Sequence, residues 1–441
     1  MNEQQLISIV RQFQGALGEK ELTEIGRDTG FTERLREVTP FRLALATIGA
    51  MACGRVETIA DIQRSFRAVT GSKVEYKPFH NQLAKETFPL FMLAVFESLL
   101  GRLALRTLAP VPGHALRRFK DIVIQDGSSF AIHDALQSVF PGRFTATNPA
   151  AVELHATMSL LGGQPLRVSI APDTQGERDF LPDPEELRGK LFLADRGYMD
   201  IDFCASLVAA GGSFIIRFSS STNPTLVGGT IANRRLRPRM LGAKLKDCSK
   251  QFAGRSADLD VEWMRDGQSV QLRLVLIWND QRQEHMMLVT DLPRRDFRAK
   301  SVRALYRLRW QVELLFKEWK SYANLRPYCT RKAPIAEGLI WAALCAALLK
   351  RFFAHAAQAV SRGVEVSTRI AAMALVHHLP RLFDAMLQHQ PIRGPLEKLL
   401  EFLATTCRRA HPSRDRRSGR LSSGLRPAHL NARLATCVVK D

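Results

Sequence analysis

The sequence predicts an α/β protein in which a helical N-terminal part precedes a strand-rich core. Three observations predict it. Apolar residues recur at helical spacing up to about residue 110. From about 117 the pattern turns to short strand-like runs, two of which end on aspartates. Finally, SVRALYRLRWQVELLFKEWK, Ser301–Lys320, is a strongly amphipathic helix.

The N-terminal part carries helical spacing in FRLALATIGAMA and in PLFMLAVFESLLGRLAL. Between them, ETIADIQRSFRAV and YKPFHNQLAK flank a TGSK turn, giving two short helices around a glycine. This is either a helix-turn-helix or part of an ordinary helical bundle. In the first case Lys73, Lys77, His80, Asn81, Gln82 and Lys85 stand where a groove-reading helix presents its donors.

The strand-rich core begins with DIVIQD, a β-branched run ending at Asp126 before a GSS turn. AVELHATMSLL and PLRVSIAP form a hairpin through Gly162, Gly163 and Gln164. An acid- and proline-rich stretch leads to KLFLAD, a buried strand ending at Asp195, then RGY, a helix through FCASLVAAG and a fifth strand, SFIIRFS. Three strands, a helical connection, a fourth strand tipped by an acid, a helix and a fifth strand make the order of a ribonuclease H-like fold. From 220 to 295 the alternation of DLDVEWM, SVQLRLVLIW and EHMMLVTDLP, with arginines at 234, 235, 237 and 239, predicts a β-rich insertion before the amphipathic helix.

On that helix, Leu305, Leu308, Val312, Leu315 and Trp319 fall within about 80° of one another at the helical angle per residue. The stripe must face a core. Tyr306, Arg309, Glu313 and Lys320 share a separate arc of about 60°, so a carboxylate lies between two cations and a phenol on what reads as an exposed edge. Mixed charges on the open face of an isolated helix describe any solvated helix. Two aspartates at strand ends and a formal net charge of +20 give this edge a different meaning.

The spacing Tyr-x2-Arg-x3-Glu-x6-Lys, residue for residue, resembles the signature of the DDE transposases of bacterial insertion sequences, in particular the Tyr-Arg-Glu-Lys subgroup, the IS-four family. The family's second aspartate lies in an Asp-x-Gly-Tyr/Phe context, matched by Asp195-Arg196-Gly197-Tyr198. Its first lies before a small hydroxylated residue, as in Asp126-Gly127-Ser128. The resemblance covers about 117 to 330. It implies catalytic and metal-binding roles for Asp126, Asp195 and Glu313, with DNA phosphates held by Tyr306, Arg309 and Lys320. Phosphoryl transfer needs its attacking and leaving oxygens neutralised, which two Mg²⁺ ions about 3.5 to 4 Å apart can do. Mn²⁺ can substitute. Competing acids are set aside by position: Asp121 begins the first strand, Asp134 lies past the turn, Asp200 reads as a helix cap, and Glu318 points away from the Tyr306 edge. Some family members carry a tryptophan in the strand before the helix. Here His285 and Met286 stand near that place, so base flipping and a hairpin intermediate are not implied.

The expected organisation is a helical DNA-binding domain at 1–115, the first part of the catalytic core at 116–219, the β-rich insertion at 220–295, the second part of the core with C-terminal helices at 296–406, and a basic tail at 407–441. That tail carries nine Arg or Lys against two Asp, and is either a DNA-contacting arm or a solvated one. With 441 residues, 46% of them hydrophobic, the chain can bury a large core. Seven single cysteines without a Cys-x-x-Cys pair argue for reduced thiols and against a zinc module. The start MNEQQLISIVRQF lacks a signal peptide's basic opening and apolar run, and the uncharged run Gly338–Leu349 is shorter than the roughly 20 residues a bilayer requires. The expectation is a cytoplasmic, nucleoid-associated protein with no membrane partner. It is expected to bind double-stranded DNA at terminal inverted repeats and at the target, to act as a homodimer on paired ends, and to catalyse cleavage and strand transfer. A transposase-derived DNA-binding protein without catalysis and a structure-specific nuclease on the same fold are the alternatives.

Overall fold

The computed structural model describes residues 3–410 and 424–428, apart from 54–55, 104, 219–221, 266, 326–327 and 362–363. Six helices lead the chain: α1 Glu3–Leu17, α2 Glu19–Asp28, α3 Pro40–Cys53, α4 Ile59–Thr70, α5 Tyr76–Leu83 and α6 Thr87–Arg102. The segment read as two short helices around a turn is α4 and α5. The side chain of Asp61 caps α4 by accepting from the backbone N–H of Thr58, and Gly71 ends it at φ +67. Lys73, Lys77, Asn81 and Lys85 are exposed. Lys85, however, donates to the Phe31 carbonyl at 2.9 Å and lies over the Phe31 ring.

Strand β1, Leu108–Pro110, precedes the main sheet, which opens with β2 Ile122–Ala131, β3 Ala151–Ser159 and β4 Gln164–Pro172. After β5 Leu191–Ala194, helix α7 Ile201–Ala209 crosses to β6 Ser213–Arg217. Asp200 caps α7, its Oδ1 accepting from the Phe203 N–H at 2.9 Å. The next strands are β7 Thr225–Ile231, β8 Arg234–Arg235, β9 Ala257–Arg265, β10 Gln268–Asn279 and β11 Glu284–Thr290, with the short helix α8 Ser249–Phe252 before β9. All ten from β2 to β11 join one sheet in the order β4-β3-β2-β5-β6-β11-β10-β9-β7-β8. β2, β5 and β6 run parallel, and every other pairing is antiparallel. The strands from 220 to 295 therefore lengthen the sheet, and the exposed Arg234 and Arg235 form its far edge, where charge discourages pairing with another chain.

The segment Ser301–Lys320, read as one helix, is two. α9 Ala299–Tyr306 and α10 Trp310–Tyr322 are joined by a 3-10 turn at Arg307–Arg309. No glycine or proline causes that tightening. It falls between Tyr306 and Arg309, both of which reach into the sheet. The apolar stripe is as the wheel places it, with Leu305, Leu308, Val312, Leu315 and Trp319 all at most 2% exposed.

Behind α10 lies α11, Ala333–Val360, followed by α12 Thr368–Ala374, α13 Leu379–Leu387 and α14 Arg393–Thr406. α11 runs well beyond the uncharged segment Gly338–Leu349. At 28 residues it is long and apolar enough to cross a membrane by length and composition, yet 83% of its most apolar window is buried inside the protein. It is the axis of one hydrophobic core to which α1, α3, α6, α10, α13 and α14 all contribute. The tail read as a basic arm includes a strand, β12 Leu425–Pro427, which pairs antiparallel with β1. Residues 411–423 and 429–441 of that tail lie outside the described residues.

Two cations on α11 are buried rather than snorkelling to water. The Lys350 Nζ donates to the Tyr322 carbonyl at 2.6 Å, and Arg351 pairs with Glu318 at 2.5 Å. Glu318 also accepts from Thr368 Oγ1. It is thus turned away from Glu313, as expected, and it joins α10 to α11 and α12. Burial pushes the Lys350 ammonium down to about 8. Between pH 8 and its ordinary value the unfolded chain binds more protons than the folded one, so this group's contribution to stability rises with pH across that window. Lys350→Met should accordingly be more stable than the parent at pH 7, by about 2 kcal/mol after the lost hydrogen bond is offset. The advantage should vanish by about pH 10.5. Urea unfolding at both pH values measures this, and an advantage independent of pH would show that burial does not disfavour the ammonium.

Candidate active site

Parallel pairing between β2 and β5 ends with Gln125 opposite Ala194. The next residue on each strand is an aspartate, Asp126 on β2 and Asp195 after β5. The expectation that the first strand ends at Asp126 needs correction. β2 continues to Ala131 because β3 goes on pairing with it, from Asp126 opposite Ala156 to Ala131 opposite Ala151. What ends at Asp126 is the parallel neighbour, and the gap left there opens the sheet to side chains from elsewhere. Asp195 leads into a tight turn, Arg196–Tyr198, closed by the Tyr198 N–H donating to the Asp195 carbonyl.

α9 and α10 fill the gap. Arg309 donates from Nη1 to Asp126 Oδ2 and from Nη2 to Glu313 Oε1, both at 2.5 Å. The Arg309 and Asp126 side chains are each only 15% exposed, so this is a charge-assisted bridge held largely out of water. The Tyr306 hydroxyl donates to Asp195 Oδ1 at 3.1 Å, and Arg217 of β6 lies 3.8 Å from the same oxygen. Lys320 donates to the Ser129 carbonyl on β2 at 2.7 Å. The edge read as exposed therefore faces the sheet at Tyr306, Arg309 and Glu313 and stays exposed at Lys320, and each of the four side chains has a protein partner or neighbour there.

Burial pushes Asp126 up to about 6 despite Arg309, and the nearby charges of Asp195 and Glu313 push the same way. Burial also raises the Tyr306 phenol, keeping it a neutral donor, and lowers the Lys320 ammonium. Asp126, Arg309 and Glu313 are brought into direct contact, Asp195 joins them electrostatically, and Tyr306 touches Asp195. Among the described residues no three His, Cys, Asp or Glu side chains are close enough together to hold a metal ion. Two of the three expected ligands are bonded to Arg309 instead.

The sequence reading passed over Arg217, Glu153, His155 and Glu177, and gave Tyr198 no part beyond its place in the Asp195-Arg196-Gly197-Tyr198 motif. Tyr198 stands in the turn after Asp195, and its hydroxyl lies 3.0 Å from His155 Nδ1. For Glu153 and His155 the signal was present: β3 is buried along all nine residues, yet it carries a carboxylate and an imidazole on the same face.

The family described as the transposase DDE domain matches residues 117–349, more than half of this chain. The transposase for insertion sequence element IS231F of Bacillus thuringiensis subsp. israelensis is 22% identical over 447 residues, covering 93% of each protein. The transposase for insertion sequence element IS1151 of Clostridium perfringens is 20% identical over 402 residues, covering 82% of this chain and 84% of that one.

The bridge through Arg309 carries a pH-dependent prediction. Arg309→Gln leaves Asp126 buried beside two other carboxylates, which should cost on the order of 3 kcal/mol while Asp126 is ionised. Below about pH 6 Asp126 is protonated and requires no cation, so the deficit should shrink towards pH 4.5. Thermal unfolding of parent and variant at pH 4.5 and 7.5 reads this directly. A deficit of equal size at both would show that the guanidinium does not neutralise Asp126.

Proposed function

Because the chain belongs to the DDE transposase family of bacterial insertion sequences, we propose that Asp126, Asp195 and Glu313 are the acids with which it cuts DNA at its element's ends and joins them to a target. The observation that carries the reading is that Arg309 bonds to Asp126 and Glu313 while Tyr306, from the adjoining helix, bonds to Asp195. The strand order β4-β3-β2-β5-β6, with α7 between β5 and β6, supports reading 116–219 and 296–406 as two parts of a ribonuclease H-like core. On this reading 220–295 is an insertion, 1–115 binds DNA, and 407–441 is a basic arm. The working form is a homodimer holding two ends of double-stranded DNA, in the cytoplasm at the nucleoid.

The donor set fits a divalent cation. It is all oxygen, as Mg²⁺ and Mn²⁺ prefer, and burial holds Asp126 above its ordinary value despite Arg309. Two Mg²⁺ ions on Asp126, Asp195 and Glu313 would supply an activated water and neutralise the leaving oxygen. For them to bind, Arg309 must release both carboxylates, and a phosphate is the natural next partner for its planar fork. Lys320 would give up the Ser129 carbonyl for a neighbouring phosphate in the same way. Tyr306, already bonded to Asp195, would keep that carboxylate oriented while its ring lines the DNA path.

A cleavage assay on a duplex carrying the element's own ends, with Mg²⁺ and then with a chelator, tests the reading. Asp126→Asn, Asp195→Asn and Glu313→Gln should each reduce cleavage at least about 100-fold while end binding stays within a few-fold, since each removes a ligand charge with little change of shape. The exposed Asp134 is the control acid, and Asp134→Asn should cleave like the parent. Glu318 is unsuitable for that purpose because it holds Arg351. Retained Mg²⁺-dependent cleavage in Glu313→Gln would sink the assignment. In the same preparations, end binding should weaken linearly in log K against log salt, because the affinity of a +20 chain for phosphate rests on counterion release.

A further inference from the structure

Beyond the far end of α10 from the acids lies a cleft of about 540 Å³ whose walls include neither the three acids nor Arg309. It is formed by α3, the end of α10, α11 and α12 with the turn after it, and Cys53, Lys320, Ser321, Lys350, Met373 and His377 line it. Lys320, Ser321, Met373 and His377 are exposed and make its rim, whereas Lys350 is 3% exposed and belongs to its floor.

The charge of this cleft is one-sided. Among the described residues that line it there is no Asp or Glu. No carboxylate acts on Lys320 or Lys350, and each donates instead to a backbone carbonyl, Lys320 to Ser129 at 2.7 Å and Lys350 to Tyr322 at 2.6 Å. An ammonium has three donors, so one carbonyl leaves two for a further acceptor. Burial brings Lys350 down only to about 8, and at pH 7 it is still mainly an ammonium. A buried cation without a counter-charge is costly, and an anion in the cleft would offset that cost for both lysines.

Lys320 belongs to two places at once, since it shares the arc of Glu313 on α10 and also lines the cleft. From Glu313 to Lys320 and Tyr322 the helix advances roughly 10 to 14 Å. One strand of DNA advances about 3.4 Å per nucleotide, so the cleft stands about three or four nucleotides from a phosphate held at Glu313.

We propose that this cleft is a second phosphate site, in which Lys350 and Lys320 take the DNA backbone about three or four nucleotides from the cut. The placement rests on the reading of Glu313 as an acid at the cut, and the phosphate chemistry of the cleft does not.

The test scans single methylphosphonate linkages, which carry no charge, along both strands of a duplex with the element's own end. Binding to the full-length protein is followed by fluorescence anisotropy in chelator, and thermal unfolding confirms the fold of each variant. In the parent, a neutral linkage at the site should weaken binding about tenfold, the scale of one charged hydrogen bond. Lys350→Met should bind the natural duplex about tenfold less tightly, and the same linkage should then cost it less than about twofold more. Ser321→Asp places a carboxylate on the exposed rim without touching the core. It should also weaken binding, and the neutral linkage should restore part of that loss. If every linkage costs the parent and both variants alike, the cleft holds no DNA phosphate and the inference is overturned, whatever the acids do. If the coupled linkage lies elsewhere along the duplex, the placement of the cut at Glu313 fails and the proposed register fails with it. Inorganic phosphate at equal ionic strength is the last arm. Should it stabilise the parent but not Lys350→Met against heat while no linkage is coupled, the cleft serves a free anion and the assignment to DNA is overturned.

Discussion

The guanidinium of Arg309 is the contact on which the rest of the site depends. It bonds at once to Asp126 on the sheet and to Glu313 on α10, so one cation ties together two elements whose carboxylates would otherwise repel. The packing of α10 against β2 is apolar on one side, through Val312, Leu315 and Trp319, and ionic on the other. The apolar side fixes the helix whatever the ionic side does. That division allows Arg309 to change partners without unfolding the domain, because its two bonds contribute to electrostatic balance rather than to the buried area that holds α10 in place.

Much of this was legible in the sequence, for identifiable reasons. The stripe Leu305 to Trp319 could be read because helical periodicity is a local property. Asp195 could be placed at a strand end because KLFLAD is a short buried run, and such runs stop where a polar residue appears. Asp126 was harder. Its strand continues for five residues, and the feature that matters, the loss of the parallel neighbour, is a property of β5 that DIVIQDGSSFA does not contain. The exposed edge was misjudged for a related reason. A helical wheel shows which residues share a face, but it cannot say that a sheet of acids lies against the polar face as well as a core against the apolar one. The break at Arg307–Arg309 has no local signal, since none of those residues disfavours a helix.

The long helix α11 shows how a strongly basic chain can still bury cations. Lys350 and Arg351 end a run that is otherwise uniformly apolar, and both are directed at acceptors on other elements: the Tyr322 carbonyl, the Gly163 carbonyl and Glu318. These contacts connect the helical part of the molecule to the β3–β4 turn and to α10. They make Glu318 a structural acid five residues from a proposed catalytic one. The two glutamates on α10 differ in partner: Glu318 has a buried arginine from α11 that it shares with no other acid, whereas Glu313 shares its arginine with Asp126.

That difference bears on how the site can be both stable and reactive. An acid whose cation has no other acidic partner is locked, because separating the pair leaves two uncompensated buried charges. An acid that shares its cation with another acid already lacks full compensation, so a second cation gains from binding and the shared one has a reason to leave. Asp126 is in this state: burial raises it, and the charges of Asp195 and Glu313 push the same way against Arg309. A Cβ at Gly127 would meet Glu153 and one at Gly197 would meet Glu177, so each glycine leaves room for a glutamate. The strain on Asp126 comes from burial as much as from its neighbouring acids, and it arises where the parallel sheet gives out.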